Sequence, residues 1–149
     1  MDNQAILQSV PLFVDLSAHN IRALAKSCTE RSYAADEVIV RQGSPGVGLF
    51  IITRGKVKIV KQLEAGNQLE IATHGPGEGI GEMAVLDGAP RTASVIAVED
   101  TSCLVLASWA FNAFMEAHPE VALQILPIVV RRFRETNEAL LNLKSSLKT

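Results

Sequence analysis

Gly79-Ile80-Gly81-Glu82-Met83-Ala84-Val85-Leu86-Asp87-Gly88-Ala89-Pro90-Arg91-Thr92-Ala93 does not read like the chain on either side of it. It opens rich in glycine, continues as one helical turn, and returns through a tight Asp-Gly-Ala-Pro loop to an arginine. The flanking chain, from about residue 31 to 107, has a different texture. Val38, Val40, Leu49, Ile51, Val57, Ile59, Leu69, Ile71, Val95, Val98, Leu104 and Leu106 sit in short, largely alternating runs. Gly43-Ser44-Pro45-Gly46, Arg54-Gly55-Lys56, Ala65-Gly66-Asn67 and Gly75-Pro76-Gly77 punctuate those runs. Short strands at this spacing, with Gly and Pro turns, predict an antiparallel roll or barrel.

Inside such a roll, a glycine-rich helical turn marks a place where the chain does something other than pair strands. Gly79 and Gly81 let a backbone approach a ligand closely. The turn from Glu82 to Leu86 presents free N–H groups and a positive dipole end, which favour an anion. The planar fork of Arg91 suits two phosphate oxygens at once. Glu82 would repel a bare phosphate. The fitting ligand therefore joins an anionic phosphate to a hydroxyl donor, such as that of a sugar.

Helices are expected at both ends of the roll. Residues 3–10 form a short helical candidate leading into Pro11-Leu12-Phe13. Ser17 can cap a second helix over about 18–28, with Ile21, Leu24, Ala25 and Cys28 on one face. Ser108 is expected to cap a helix through about His118, and Pro119 suits the first position of the next. Pro127 predicts a break, giving a short helix at 119–126 and a long one from 127. Leu126, Val129, Phe133, Thr136, Leu140, Leu143 and Leu147 repeat at alternating spacings of three and four, a coiled-coil seam with Thr136 as its polar exception. That seam can pack on its own barrel or on a second chain. Its narrowness favours a second chain, because a core-facing helix carries a wider stripe.

The segment 79–93 resembles the phosphate-binding cassette of cyclic-nucleotide-binding domains, as found in catabolite activators, protein kinase regulatory subunits and gated channels. The family pattern of Gly-Glu-x-Ala/Gly, a spacer, then Arg-x-Ala is present as Gly81-Glu82-Met83-Ala84 and Arg91-Thr92-Ala93. The resemblance extends to Pro11-Leu12-Phe13, the Gly43 and Gly55 turns and His118-Pro119-Glu120. It implies a mainly β fold with flanking α-helices: an antiparallel β-roll, of double-stranded β-helix or jelly-roll-like form. Residues 1–149 are then one domain, with N-terminal helices over 1–30, the roll over 31–107 and C-terminal helices over 108–149 that act as lid and dimerisation element. By the same resemblance Glu82 accepts from a ribose 2′-hydroxyl and Arg91 pairs with the cyclic phosphate. Backbone N–H groups of Met83, Ala84 and Ala93 complete the cradle, and Thr92 brings a hydroxyl near the phosphate or the purine. Thr136-Asn137, where catabolite activators carry Thr-Ser, lies in the part of the final helix that covers the base. Threonine at the place of Thr92 accompanies guanine recognition in cGMP-dependent kinases, while bacterial domains carry Ser or Thr there, so cAMP and cGMP both stay open. Ile80 stands where the family often has an aromatic residue. DNA-binding members continue into a helix-turn-helix domain, whereas this chain ends at Thr149. A free-standing sensor, or the regulatory piece of something longer with a downstream effector or fused domain, is expected.

Composition narrows the alternatives. The 149 residues carry a formal net charge of -2, not the broad basic field of a nucleic-acid binder, and no DNA contact is expected from this chain alone. No apolar run is long enough to span a membrane, and Met1-Asp2-Asn3-Gln4 does not begin a signal peptide. Cys28 and Cys103 are too few for a disulfide scaffold, so a reduced, cytoplasmic protein is expected. His19, His74 and His118 are isolated, so neither a metal nor a cofactor is expected. Phosphodiester hydrolysis needs a metal cluster or an acid–base pair at the phosphate. No His/Asp clustering supplies one, and a sensor is expected rather than an enzyme. Arg131, Arg132 and Arg134 read as a solvated helix face. A simple Glu82–Arg91 ion pair, or a ligand-free dimerisation domain, is the bland alternative.

Overall fold

The alternating runs fold into two four-stranded antiparallel sheets. The structure, a computed structural model, describes residues 2–147, so residues 1, 148 and 149 of the expected domain lie outside the described residues. One sheet has the order β1 (Thr29–Tyr33), β8 (Thr101–Ala107), β3 (Gly48–Arg54), β6 (Gly79–Ile80). The other runs β2 (Val38–Val40), β7 (Ser94–Ala97), β4 (Val57–Gln62), β5 (Gln68–His74). Each sheet draws strands from early and late in the roll, the antiparallel jelly-roll-like architecture expected.

Strands β3 and β8 are apolar nearly without interruption because both of their faces are buried. Phe50, Ile52, Cys103 and Val105 point into the space between the sheets, with Val57 and Val95. Their neighbours Leu49, Ile51, Leu104 and Leu106 point the other way, into a second core built with the helices. That helical core takes Leu12 and Phe13 from a 3-10 turn at Pro11–Phe13, and Phe13 meets Phe111 edge to face with centroids 5.5 Å apart.

At the N-terminal side, α1 (Asn3–Gln8) is capped by the Asp2 carboxylate, which accepts from the Ala5 N–H at 2.8 Å. Ser17 caps α2 (Ala18–Ala25) as expected, accepting from the Asn20 N–H at 3.1 Å. This helix ends earlier than residue 28, because the chain must turn at 26–28 to enter β1. Val98 falls in the turn after β7, not in a strand, and is half exposed.

Two expectations about the C-terminal helices are corrected. Ser108 does not cap α4 (Ser108–Ala117); it is the helix's first residue, and β8 runs straight into it at Ala107. Its hydroxyl instead faces the carbonyls of Gly46 (3.2 Å) and Ala84 (3.0 Å). Pro127 does not divide the final helix, which is continuous as α5 (Pro119–Leu147). Pro127 lies on the exposed side, so the carbonyl it leaves unpaired can face water. Val121, Ile125 and Ile128 hold the opposite side in the core. The seam is also divided in its surroundings. Val129 packs partly against the helix's own core, whereas Leu126, Phe133, Leu140, Leu143 and Leu147 are exposed. No single helix among the described residues is long and apolar enough to cross a membrane.

Candidate ligand site

The cassette leaves one sheet after β6, makes the single turn α3 (Ala84–Asp87), and enters the other sheet at β7. Gly88, at φ +67°, ends the turn, its N–H donating to the Ala84 carbonyl at 2.8 Å. The loop 43–48 braces the cassette. Gly43 N–H donates to the Arg91 carbonyl (2.8 Å), Arg91 N–H to the Ser44 carbonyl (2.9 Å) and Gly46 N–H to the Gly88 carbonyl (3.2 Å). Gly46 has no room for more, since a Cβ there would sit 2.2 Å from the Ala89 carbonyl oxygen.

Arg91 is only 7% exposed. Its Nη2 donates to the Gly48 carbonyl, its guanidinium carbon lies 5.9 Å from the Phe50 ring centre, and among the described residues its Nε has no partner. Burial holds its pKa below the ordinary arginine value. Among the described residues no carboxylate pairs with it, so the bland alternative of a Glu82–Arg91 ion pair does not form. A buried cation without a counter-charge is costly, and an anion removes that cost. Gly81 is fitted to this arginine. Its φ is +79°, and a Cβ would meet Nη1 at 1.7 Å.

Glu82 is engaged elsewhere. Its Oε1 accepts from the Leu12 N–H at 2.8 Å and lies 3.1 Å from Arg132 Nη1. Arg131 and Arg134 are exposed, as expected of a solvated helix face, but Arg132 is not part of that face, which corrects the expectation for this one arginine. The carboxylate joins the N-terminal 3-10 turn, the cassette and α5. The sequence carries a signal for this. Val121, Ile125, Ile128 and Arg132 follow spacings of four, three and four, which places Arg132 on the stripe of α5 that faces the body.

The cassette and the roll enclose a cavity of about 470 Å³. Gly81, Glu82, Met83, Ala84, Arg91, Thr92 and Ala93 all line it. Val40, Ile59 and Val95 form an apolar wall that was legible as strand residues but not as part of a site. Thr136 lines an adjoining hollow of about 570 Å³ with Phe133, and Met83 is shared by both hollows. Asn137 lies exposed on α5 and lines neither.

Other chemistry is sparse. Among the described residues no three His, Cys, Asp or Glu side chains gather to hold a metal. Burial pushes the Cys28 thiol up to about 12 and the Cys103 thiol up to about 11, which keeps both protonated and unreactive at neutral pH.

Residues 30–118 match the family model described as the cyclic nucleotide-binding domain. The chain belongs to that family. Within the cyclic nucleotide-binding domains, it is 33% identical over 131 residues to the cyclic AMP receptor protein of Thermus thermophilus, covering 88% of this chain and 61% of that one. The chain thus spans about three fifths of the length of this curated relative. Among solved structures, the N-terminal domain of a transcriptional regulator from Streptomyces coelicolor superposes with a TM-score of 0.84 at 34% identity, over 91% of this chain and 94% of the other. The regulatory domain of Toxoplasma gondii PKA, solved with cAMP, aligns with a TM-score of 0.70 at 28% identity, over 75% and 42% of the two chains.

Proposed function

We propose that this domain is a sensor that binds cAMP or cGMP between the cassette and the roll and relays occupancy through α5. The observation that carries the reading is Arg91, a buried cation without a carboxylate partner, fixed through its own N–H and carbonyl beside a cavity of mononucleotide size. Arg91 takes the cyclic phosphate, and the N–H groups of Met83, Ala84 and Ala93 complete the cradle. The ribose 2′-hydroxyl donates to Glu82, whose carboxylate has lone pairs beyond the two donors it holds. Thr92 offers its hydroxyl to the phosphate or the purine, and Val40, Ile59 and Val95 give the purine an apolar bed. Thr136 approaches the base from α5 through the hollow it shares with Met83, whereas Asn137, exposed on the same helix, reaches the base only if α5 turns toward the cavity. The domain binds and does not turn over its ligand: of the two carboxylates that line the cavity, Glu82 is tied to the sugar side and Asp87 accepts from the Ala89 N–H of its own loop.

The exposed stripe Leu126, Val130, Phe133, Leu140, Leu143 and Leu147 suits a second copy of the chain, giving a homodimer through α5. Two free thiols, Cys103 buried and Cys28 partly buried, fit a reducing, cytoplasmic location. A second reading, the sensor half of a catabolite-activator-type regulator, is favoured by the superposition on the N-terminal domain of a transcriptional regulator.

Thermal unfolding of nucleotide-free protein with cAMP, cGMP and AMP tests the reading. A ligand present at a hundred times its Kd adds about 2.7 kcal/mol, a rise in midpoint of roughly 5–10 °C for a domain of this size. A rise with a cyclic nucleotide and none with AMP is expected. No rise with either cyclic nucleotide would leave a ligand-free dimerisation domain as the better account.

A further inference from the structure

The sheet β2-β7-β4-β5 has a gap at its upper end. Strand β7 lies between β2 and β4, with Val95 opposite both Val40 and Ile59, and Ser94 opposite Val60. Continued by two residues, the β4 ladder would set Thr92 opposite Gln62. Arg91, Thr92 and Ala93 instead turn away to line the cavity, and β7 pairing stops at Ser94. Gln62 would lose its partner on that side. The Gln42 side chain supplies one: the Gln62 N–H donates to Gln42 Oε1 at 2.7 Å, and Gln42 Nε2 donates to the Gln62 carbonyl at 3.4 Å. The carboxamide thus offers one acceptor and one donor, just as a peptide group of the missing strand would.

The backbone of Gln42 is held by the residues that border the ligand turn. Its N–H donates to Ser94 Oγ at 2.9 Å. The next residue, Gly43, donates to the Arg91 carbonyl, and Arg91 donates back to Ser44. Gln42 therefore connects the Arg91–Ala93 turn to the end of β4 where the β4–β5 hairpin begins.

We propose that Gln42 is a positioning residue whose side chain replaces the strand given up to the ligand site, and so carries the state of the cavity to the β4–β5 hairpin. It touches no ligand; it acts through Arg91, Ser94 and Gln62. A ligand that fixes Arg91–Ala93 fixes the backbone of residues 42–44, and the carboxamide then holds Gln62 more firmly. This rests on the cyclic-nucleotide reading of the cavity.

The test is residue-resolved amide hydrogen exchange on the full chain, with and without saturating cAMP, for wild type, Gln42→Ala and Gln42→Glu. Exchange at Met83, Ala84 and Ala93 reports binding, and exchange at Gln62 reports the coupling. The Leu63 N–H, bonded to the Asn67 carbonyl within the hairpin, reports simple fraying. In wild type, cAMP is expected to slow Gln62 several-fold. In Gln42→Ala, Gln62 exchanges about tenfold faster without ligand, the scale of one net hydrogen bond, and cAMP no longer slows it while the cassette amides remain protected. Gln42→Glu keeps the acceptor for the Gln62 N–H but not the donor, and is expected to fall between. A purely structural role would speed exchange equally with and without cAMP and leave their ratio unchanged, which overturns the proposal. Wild-type cassette protection without any change at Gln62 overturns it as well. Absence of cassette protection in wild type is the separate signature of a failed ligand reading, and the coupling falls with it.

Discussion

A single methyl group at Gly81 separates the ligand site from the fold. In Gly81→Ala the new Cβ lies 1.7 Å from Arg91 Nη1 and 2.5 Å from Cζ, so the two cannot coexist. Relief comes from the guanidinium, the far end of a flexible side chain, which must leave its place beside the Gly48 carbonyl. The backbone cost is separable. Gly81 stands at φ +79°, where an L-residue costs about 1–2 kcal/mol. Gly66, in the β4–β5 hairpin, stands at φ +78° with no atom within 4 Å of its Cβ position, so Gly66→Ala pays the same strain with no clash. Both variants should lose about 1–2 kcal/mol in urea denaturation. Only Gly81→Ala should lose affinity. Displacing a buried charge from its anion costs on the order of 2–5 kcal/mol, or roughly 30- to 5,000-fold in Kd for cAMP by titration calorimetry. A wild-type Kd in Gly81→Ala, or an equal loss in Gly66→Ala, would refute the placement of the phosphate at Arg91.

Arg91→Ala should weaken cAMP binding over the same range while leaving the stability of the ligand-free protein nearly unchanged, because the lost Gly48 and Phe50 contacts are offset by removal of a buried charge that has no carboxylate partner; denaturation and calorimetry on the one variant check both halves. Leu140→Lys places a charge in the exposed seam of α5 and should convert a dimer to a monomer by light scattering, whereas a wild-type protein already monomeric at tens of micromolar would assign the seam no partner. The thiols supply a pH dependence. The folded-state pKa of Cys28 lies at about 12, above its unfolded value, so its contribution to stability is complete at neutral pH and is lost as pH rises from about 9 toward 12. Cys28→Ala should flatten that decline in denaturation midpoints. The same shift cuts the thiolate fraction at pH 8 about a thousandfold, so native protein should react with a disulfide reagent far more slowly than unfolded protein.

What was legible in the sequence was local. Gly81, Glu82 and Arg91 lie within eleven consecutive residues, and the constraints that link them act over that distance: a positive φ, a one-turn helix, a return loop. The strands were legible as short apolar runs between Gly and Pro turns, and the Ser17 cap because its partner lies three residues on. The misreadings at Ser108 and Pro127 involve partners distant in the chain. Ser108 looks like a cap until Gly46 and Ala84, 62 and 24 residues away, claim its hydroxyl. Pro127 reads as a break by local rules, yet Val121, Ile125 and Ile128 are packed in the core and carry the helix through it. Gln42 carries no motif at all, since its role exists only because β7 stops short of it.

Glu82 shows why the distant contacts matter for function. Three segments meet at one carboxylate: Leu12, 70 residues before it, the cassette itself, and Arg132, 50 residues after it. From Phe133 to Leu147 every residue of α5 is exposed, so the body grips the helix through Ile128 and then through this ion pair. The pair is partly solvated, which limits its worth to about 1 kcal/mol. A tie of that size suits a switch, because a conformational equilibrium shifts only by the difference in ligand affinity between its two states. On the proposed reading, a ribose hydroxyl joining Glu82 would change the charge density that Arg132 experiences without breaking any part of the core. The cassette can therefore bias the direction of the free half of α5 while the roll, whose strands β3 and β8 are buried on both faces, stays as it is.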